Sequence, residues 1–203
     1  SPSREGVAHR SMPLLGVVWQ SGRAIPMKTV SIDGYLDQAK LEAALRAIVG
    51  EAAWRGREVV AAPRKFRWDM VIELSGARIA VEFDGDEHYR HSLKIKADRE
   101  KDSVASAGGY RVVRFPYWVQ LTTETLQHYF GLEAKVEQDF PHGFITTKHF
   151  PASYCELGIE RFTRELEALP KMVREAVVES LRARVAEHGI EYVLPRALRQ
   201  LVE

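Results

Sequence analysis

Asp69, Glu82 and Asp84 are three carboxylates whose spacing could do chemistry, in the segment FRWDMVIELSGARIAVEFDGDEH at residues 66–88. Ser75-Gly76 is a turn dipeptide between two apolar, β-branched runs, and a two-residue loop there makes Leu74 face Ala77. Counting back from that turn sets Asp69 opposite Glu82, Val71 opposite Ala80 and Glu73 opposite Arg78 on one face, with Asp84 next along beside Glu82. The other face pairs Trp68 with Phe83, Met70 with Val81 and Ile72 with Ile79, so it is wholly apolar and suited to a core. A one-residue slip would put every one of these on the wrong face. Opposed residues have Cβ atoms about 4.5–5.5 Å apart, so two like charges meet, which raises at least one pKa unless a cation offsets them. Oxygen-rich sites of this kind suit Mg²⁺, and a divalent-metal site is expected where the strand ends at Asp84-Gly85, with His88 within reach. The competing expectation is a solvated acidic sheet face neutralised by Arg67 and Arg78.

The flanking sequence supplies elements that would hold such a site. From Asp37 to about Arg55 the positions Leu41, Ala44, Leu45, Ile48, Val49 and Ala52 recur at helical spacing, with Gly50 weakening the pattern. Glu42 sits one position from that stripe, where it either points at the carboxylates or is a solvated residue near the helix start. Val59-Val60 reads as a short strand and Pro63-Arg64-Lys65 as a basic connector. Arg64, Lys65 and Arg67 then precede the carboxylates, where they would meet phosphates or simply be solvated. After Gly85 a polar loop leads into a helix from about Lys94, with Ile95, Asp98, Asp102 and Ala105 on one side and Arg99 and Lys101 elsewhere around it. Gly108-Gly109 ends that helix, and Tyr110–Phe115 reads as a buried strand before Pro116. The order helix, hairpin, helix, strand implies a β-α-β crossover and an α/β fold.

The 203 residues carry a net charge of +1, so a nucleic-acid surface would have to be local. Three parts are expected: an N-terminal arm at 1–36, a core at 37–130, and a loop plus helical region at 131–203 packed on the core. In the last part Ile159, Phe162, Leu166 and Leu169 form one stripe, Pro170 opens a further helix that stops at Gly189, and Pro195 begins a terminal turn. Thr122 or Thr123 caps a helix running to Phe130, and 131–155 reads as irregular. Cys155 is the single cysteine, which excludes an intramolecular disulfide and makes a cytoplasmic protein the expectation. The spacings of His142, His149 and Cys155 fit no familiar zinc pairing. Neither a bilayer-spanning run nor a signal-peptide core is visible; without a P-loop a metal-dependent hydrolase of small phosphorylated molecules ranks last, without Gly-x-Ser-x-Gly a serine nucleophile is not expected, and no small-molecule cofactor is expected.

Taken together in order, these pieces resemble the PD-(D/E)XK nuclease superfamily, and more narrowly its branch related to very-short-patch-repair endonucleases. The resemblance spans about residues 41–118: Glu42 on the first helix, Asp69 on the first hairpin strand, the E-x-D-G-x-x-H run Glu82–His88, the pair Asp98-Arg99, and GYRVVRF at Gly109–Phe115. It implies a restriction-endonuclease-like core and hydrolysis of DNA phosphodiesters with Mg²⁺, for which Mn²⁺ would substitute. Asp69, Glu82 and the Phe83 carbonyl would ligate the metal, Asp84 would hold a second ion or a metal-bound water, His88 would serve as base or phosphate contact, and Glu42 would complete the shell. Arg64, Lys65, Arg67 and Arg90 would contact DNA, and two copies could pair through the C-terminal helices to cut both strands. Two departures stand out: Trp68 replaces the superfamily proline, and Asp84 replaces its lysine. The lysine's role would fall to His88, Lys94, Lys96 or a second metal. If nothing takes it, the chain would be an inactive nuclease-fold subunit that binds DNA or docks a partner.

Overall fold

The structure, a computed structural model, describes residues 17–20, 23–56, 59–62, 64–144 and 149–203, with the side chains of 17–26 and 59–65 outside the described set. The opening strands β1 (Val17–Gln20) and β2 (Arg23–Pro26) form an antiparallel ribbon, followed by β3 (Thr29–Ile32). Helix α1 (Gln38–Val49) starts at Asp37, whose carboxylate accepts the Lys40 N–H at 2.8 Å. It ends earlier than expected. Gly50 takes φ +80° and returns its N–H to the Arg46 carbonyl, so the chain turns there, and β4 (Trp54–Gly56) pairs with the first hairpin strand instead of prolonging the helix. The expected basic connector is one strand of a ribbon, β5 (Val59–Ala62) against β6 (Arg64–Arg67).

The hairpin is β7 (Met70–Leu74) and β8 (Ala77–Asp84), in the register read from the turn: Leu74 opposite Ala77, Glu73 opposite Arg78, Ile72 opposite Ile79, and Met70 opposite Val81. Ser75 and Gly76 both have positive φ, +49° and +80°, as a two-residue turn with the twist of its strands requires. A single turn, α2 (Glu87–Arg90), stands where a polar loop was expected, and α3 (Ser92–Ala107) crosses to β9 (Tyr110–Pro116), parallel to β8. The sheet order is therefore β4-β7-β8-β9, a mixed α/β arrangement with the implied crossover. Helix α4 (Thr123–Phe130) is capped by Thr122 with Thr125 reciprocating, and β10 (Lys135–Gln138) pairs parallel with β3, a strand inside the stretch expected to be irregular. Beyond a 3₁₀ turn at Pro151–Ser153 come α5 (Glu156–Ala168), α6 (Lys171–His188), α7 (Ile190–Val193) and a 3₁₀ segment at Arg196–Leu201.

Both faces of the sheet are covered. Met70, Ile72, Ile79 and Val81 pack with Leu41, Leu45 and Ile48 of α1 in a main core that runs on to Phe162, Leu181 and Leu198 of the C-terminal part. The opposite face holds Val71 and Ala80 against Ala105 of α3, and Trp68 joins them. Trp68 was expected beside Met70. The ladder stops at Met70, and at Asp69 the chain bends and bonds the neighbouring strand through its side chain, so strand parity is lost and Trp68 turns to the α3 face. Among the described residues no helix is long and apolar enough to cross a membrane.

Helix α5 is seated by Gly158, where an added Cβ would lie 1.8 Å from the Tyr89 carbonyl oxygen, which accepts the Cys155 N–H at 3.1 Å. Backbone cannot yield as a flexible side chain can. Gly158→Ala is expected to cost about 3 kcal/mol through overpacking, read as a lowered midpoint in urea unfolding.

Candidate metal centre

Asp69 and Glu82 meet just beyond the end of the ladder, by reciprocal bonds from side chain to backbone. The Asp69 N–H donates to Glu82 Oε1 at 3.1 Å, and the Phe83 N–H donates to Asp69 Oδ2 at 3.0 Å. Lys101 of α3 closes the arrangement, donating to Glu82 Oε1 at 2.6 Å and to the Arg67 carbonyl at 2.7 Å, with its ammonium 4.3 Å from the centre of the Trp68 ring. Burial pushes the Glu82 carboxyl above its usual pKa; the Asp69 charge adds to that, while Lys101 opposes it. Among the described residues, Asp69 Oδ1 and Glu82 Oε2 accept no hydrogen bond, so each acid keeps one oxygen for a ligand.

Asp84 lies on the same face but in a different environment. It is fully buried, with Arg114 of β9 at 2.9 Å from Oδ1 and 3.1 Å from Oδ2, Arg161 of α5 on Oδ2, and His88 Nδ1 3.1 Å from Oδ1. His88 Nδ1 is also 2.6 Å from Asp98 Oδ2. Since both neighbours are acceptors, Nδ1 carries the proton, and in the neutral ring Nε2 carries the lone pair. Arg161 donates further to Asp98 at 3.1 Å, to the His88 carbonyl at 3.2 Å and to Glu165 at 2.7 Å, and Glu165 accepts the Tyr89 hydroxyl at 2.6 Å. Arg114 is completed by Asp102 at 2.7 Å. Burial alone would raise the Asp98 pKa, but the hydrogen bond from His88 and the charges of Arg114, His88 and Arg161 take it below its usual value.

The expected residues thus fall into two groups. Asp69 and Glu82 form an outer pair, while Asp84, His88 and Asp98 bring one ligand atom each to within 4.8 Å of the others and could hold a metal ion. Among the described residues the outer pair keeps oxygens that accept no hydrogen bond, whereas both Asp84 oxygens are bonded. Phe83 lends its N–H to Asp69 and packs on the main core. Glu42 does not join: α1 covers the other face of the sheet, and Glu42 lines a surface groove there with Arg46 and Glu51. Lys94 is 3.8 Å from Glu87, and Lys96 is exposed. Arg67 is exposed while its carbonyl holds Lys101, and the side chains of Arg64 and Lys65 are outside the described set. Arg90 is paired with Asp86 at 3.0 Å and lies 3.2 Å from His149. The histidines and cysteine set aside for zinc are engaged separately: His142, lowered to about 4 by burial, accepts the Gln120 N–H, His149 faces Asp86, and Cys155 contacts the Tyr89 carbonyl.

Lys101 and Arg161 were not picked out as site residues. Lys101 was expected away from the Asp98 side, yet it lies three residues on from Asp98, a spacing that shares a helix face, and α3 turns both toward the sheet. Arg161 has no local signal, since its partner Asp84 is 77 residues distant. Compared with protein-family models, curated proteins and solved structures, the chain matches none.

Removing Arg161 would strand a buried carboxylate, so Arg161→Met is expected to cost about 3–5 kcal/mol in urea unfolding. Because folding lowers the Asp98 pKa below its unfolded value of about 3.9, its contribution is fully present above that value and is lost as pH falls through the lower folded pKa. Asp98→Asn should therefore flatten the acid limb of stability measured below about pH 4.

Proposed function

We propose that the chain is a Mg²⁺-dependent endodeoxyribonuclease with a restriction-endonuclease-like core, in which Asp69 and Glu82 hold the metal. The observation that carries this is the apposed Asp69–Glu82 pair, each with an unengaged oxygen, at the end of a hairpin in a helix, hairpin, helix, strand order. Charge supports it. Among the described residues, Lys101 is the one cation hydrogen-bonded to the Asp69–Glu82 pair, two acids against one bonded cation. A divalent cation offsets that excess.

A bound Mg²⁺ would polarise a phosphate oxygen and lower the pKa of a coordinated water. The protein's own groups then have separate tasks. Asp69 is held by the Phe83 N–H and Glu82 by Lys101 and the Asp69 N–H, which fixes both carboxylates. His88, with its Nδ1 proton committed to Asp98, offers Nε2 as the proton acceptor. Asp84 anchors Arg114, Arg161 and His88, in place of the second-metal role the resemblance implies.

One observation favours a second reading, an inactive nuclease-fold subunit that binds DNA or docks a partner: both oxygens of Asp84 are occupied by protein groups. Supercoiled plasmid incubated with Mg²⁺, Mn²⁺ or chelator separates the two. The nuclease cuts only with metal, and Asp69→Ala slows cutting by more than about 100-fold, since even groups behind a metal ligand are worth 10–100-fold. Intact plasmid under every metal, with DNA binding retained, would instead establish the binding subunit.

A further inference from the structure

Away from the Asp69–Glu82 pair, positive charge is left over at a second place. Helices α3 and α5 pack against each other beside a cavity of about 40 Å³. At roughly 10–15 Å³ per water it has room for about three waters, or for the oxygens of one phosphate group. Helix α3 lends it Asp98, Arg99 and Asp102, where Asp102 lies three and four residues on from the other two and so shares their side of the helix. Helix α5 lends it Arg161 with Arg164 and Glu165, again at three and four residues, and Arg114 of β9 lines it as well.

These charges are not equally committed. All three carboxylates are engaged: Asp98 by His88 and Arg161, Asp102 by Arg114, and Glu165 by Arg161 and the Tyr89 hydroxyl. Arg114 and Arg161 are nearly buried in making those bonds. Arg99 and Arg164 differ. Both are exposed, and among the described residues neither has a hydrogen bond, an ion pair or a ring contact. A metal ion here would meet carboxylates already bonded to arginines, so the cavity does not suit one. An anion would meet two guanidiniums with all their donors available. A phosphate group matches the planar guanidinium fork, and a site with two such forks suits it well.

We propose that Arg99 and Arg164 form a phosphate-binding site outside the metal centre, the two guanidiniums gripping one phosphate group at the α3–α5 cavity. A cavity this small brings both within reach of a single phosphate. The site needs no metal and stands on its own residues; that the phosphate belongs to a DNA backbone rests on the nuclease reading given above. Asp98 and Arg114 line the cavity and also bond His88 and Asp84, so a backbone phosphate held here is positioned against the network that orients His88. Such a contact fixes where a duplex lies without reading its sequence. Two merely solvated arginines would instead be interchangeable with any other surface cation.

The test follows binding of a short fluorescent duplex by anisotropy, in chelator and across a salt series, for the wild type, Arg99→Gln, Arg164→Gln and their combination. Lys171→Gln, which removes an exposed cation at the start of α6 outside the cavity, is the control. Each arginine variant is expected to raise Kd about 10-fold, the scale of a hydrogen bond to a charged group. Because the two share one phosphate, the combination should lose less than the product of the single losses and lower the salt slope by about 1. Arg99→Lys should keep part of the affinity, since it keeps the charge without the fork. A second arm titrates inorganic phosphate against the wild type and the combination by phosphorus NMR. If the arginine variants lose no more duplex affinity than Lys171→Gln, that arm decides. Phosphate bound by the wild type and not by the combination keeps the site, with free phosphate as its source, and phosphate bound by neither or by both overturns it. A protein that fails both arms yet cuts plasmid with Mg²⁺ leaves the nuclease reading standing, and one that shows the site but cuts nothing with any metal overturns the nuclease reading alone.

Discussion

The Asp84 carboxylate, buried to zero exposure between Arg114 and Arg161, is the constraint on which the rest of the site depends. It joins three separate parts of the chain: the end of β8, the middle of β9 and the second turn of α5. An ionised acid in that position is tolerable only because two guanidiniums and His88 surround it, and each of those is in turn satisfied by Asp98, Asp102 or Glu165. Removing the Asp84 carboxylate would take a buried partner from Arg114, Arg161 and His88 at once. Hence the network fixes where α5 sits, and with it the bare backbone contact at Gly158 and Tyr89.

A division of labour follows from the electrostatics. The inner group, Asp84 with its arginines, is charge-paired and ties β8, β9 and α5 together, while Asp84, His88 and Asp98 could hold a metal ion. The outer pair, Asp69 and Glu82, is hydrogen-bonded to one cation, Lys101, and feels the charge of Arg114, and among the described residues Asp69 Oδ1 and Glu82 Oε2 accept no hydrogen bond. The two lie on one face of one hairpin, which is why a single sequence motif carries both and why residue type alone does not separate them.

The hairpin was legible residue by residue, because a period-two pattern and a two-residue turn leave only one register that buries Met70, Ile72, Ile79 and Val81. The crossover helix and its glycine stop were legible for the same kind of reason. Legibility failed where a side chain replaced backbone: at Asp69 the ladder gives way to a carboxylate bond, and Trp68 changes face. It failed again where partners are far apart in sequence. The parallel pairing of β3 with β10 joins segments about a hundred residues apart, shown by Ser31 and Glu137 at a separation of 106, and nothing local in either marks the other. Arg161 is the same case in the site itself. Lys101 was readable in principle from its three-residue spacing to Asp98, but only once it was known which face of α3 meets the sheet.

The central claim is that the unengaged oxygens of Asp69 and Glu82, and not the closed Asp84 cluster, are where a divalent cation binds. The most direct measurement is a Mn²⁺ titration of the full chain followed by electron paramagnetic resonance, for the wild type, Asp69→Ala and Asp98→Asn. A site at the outer pair gives an ion bound by the wild type, lost in Asp69→Ala and kept in Asp98→Asn. An ion that survives Asp69→Ala and disappears in Asp98→Asn, or no bound ion in the wild type, would contradict it.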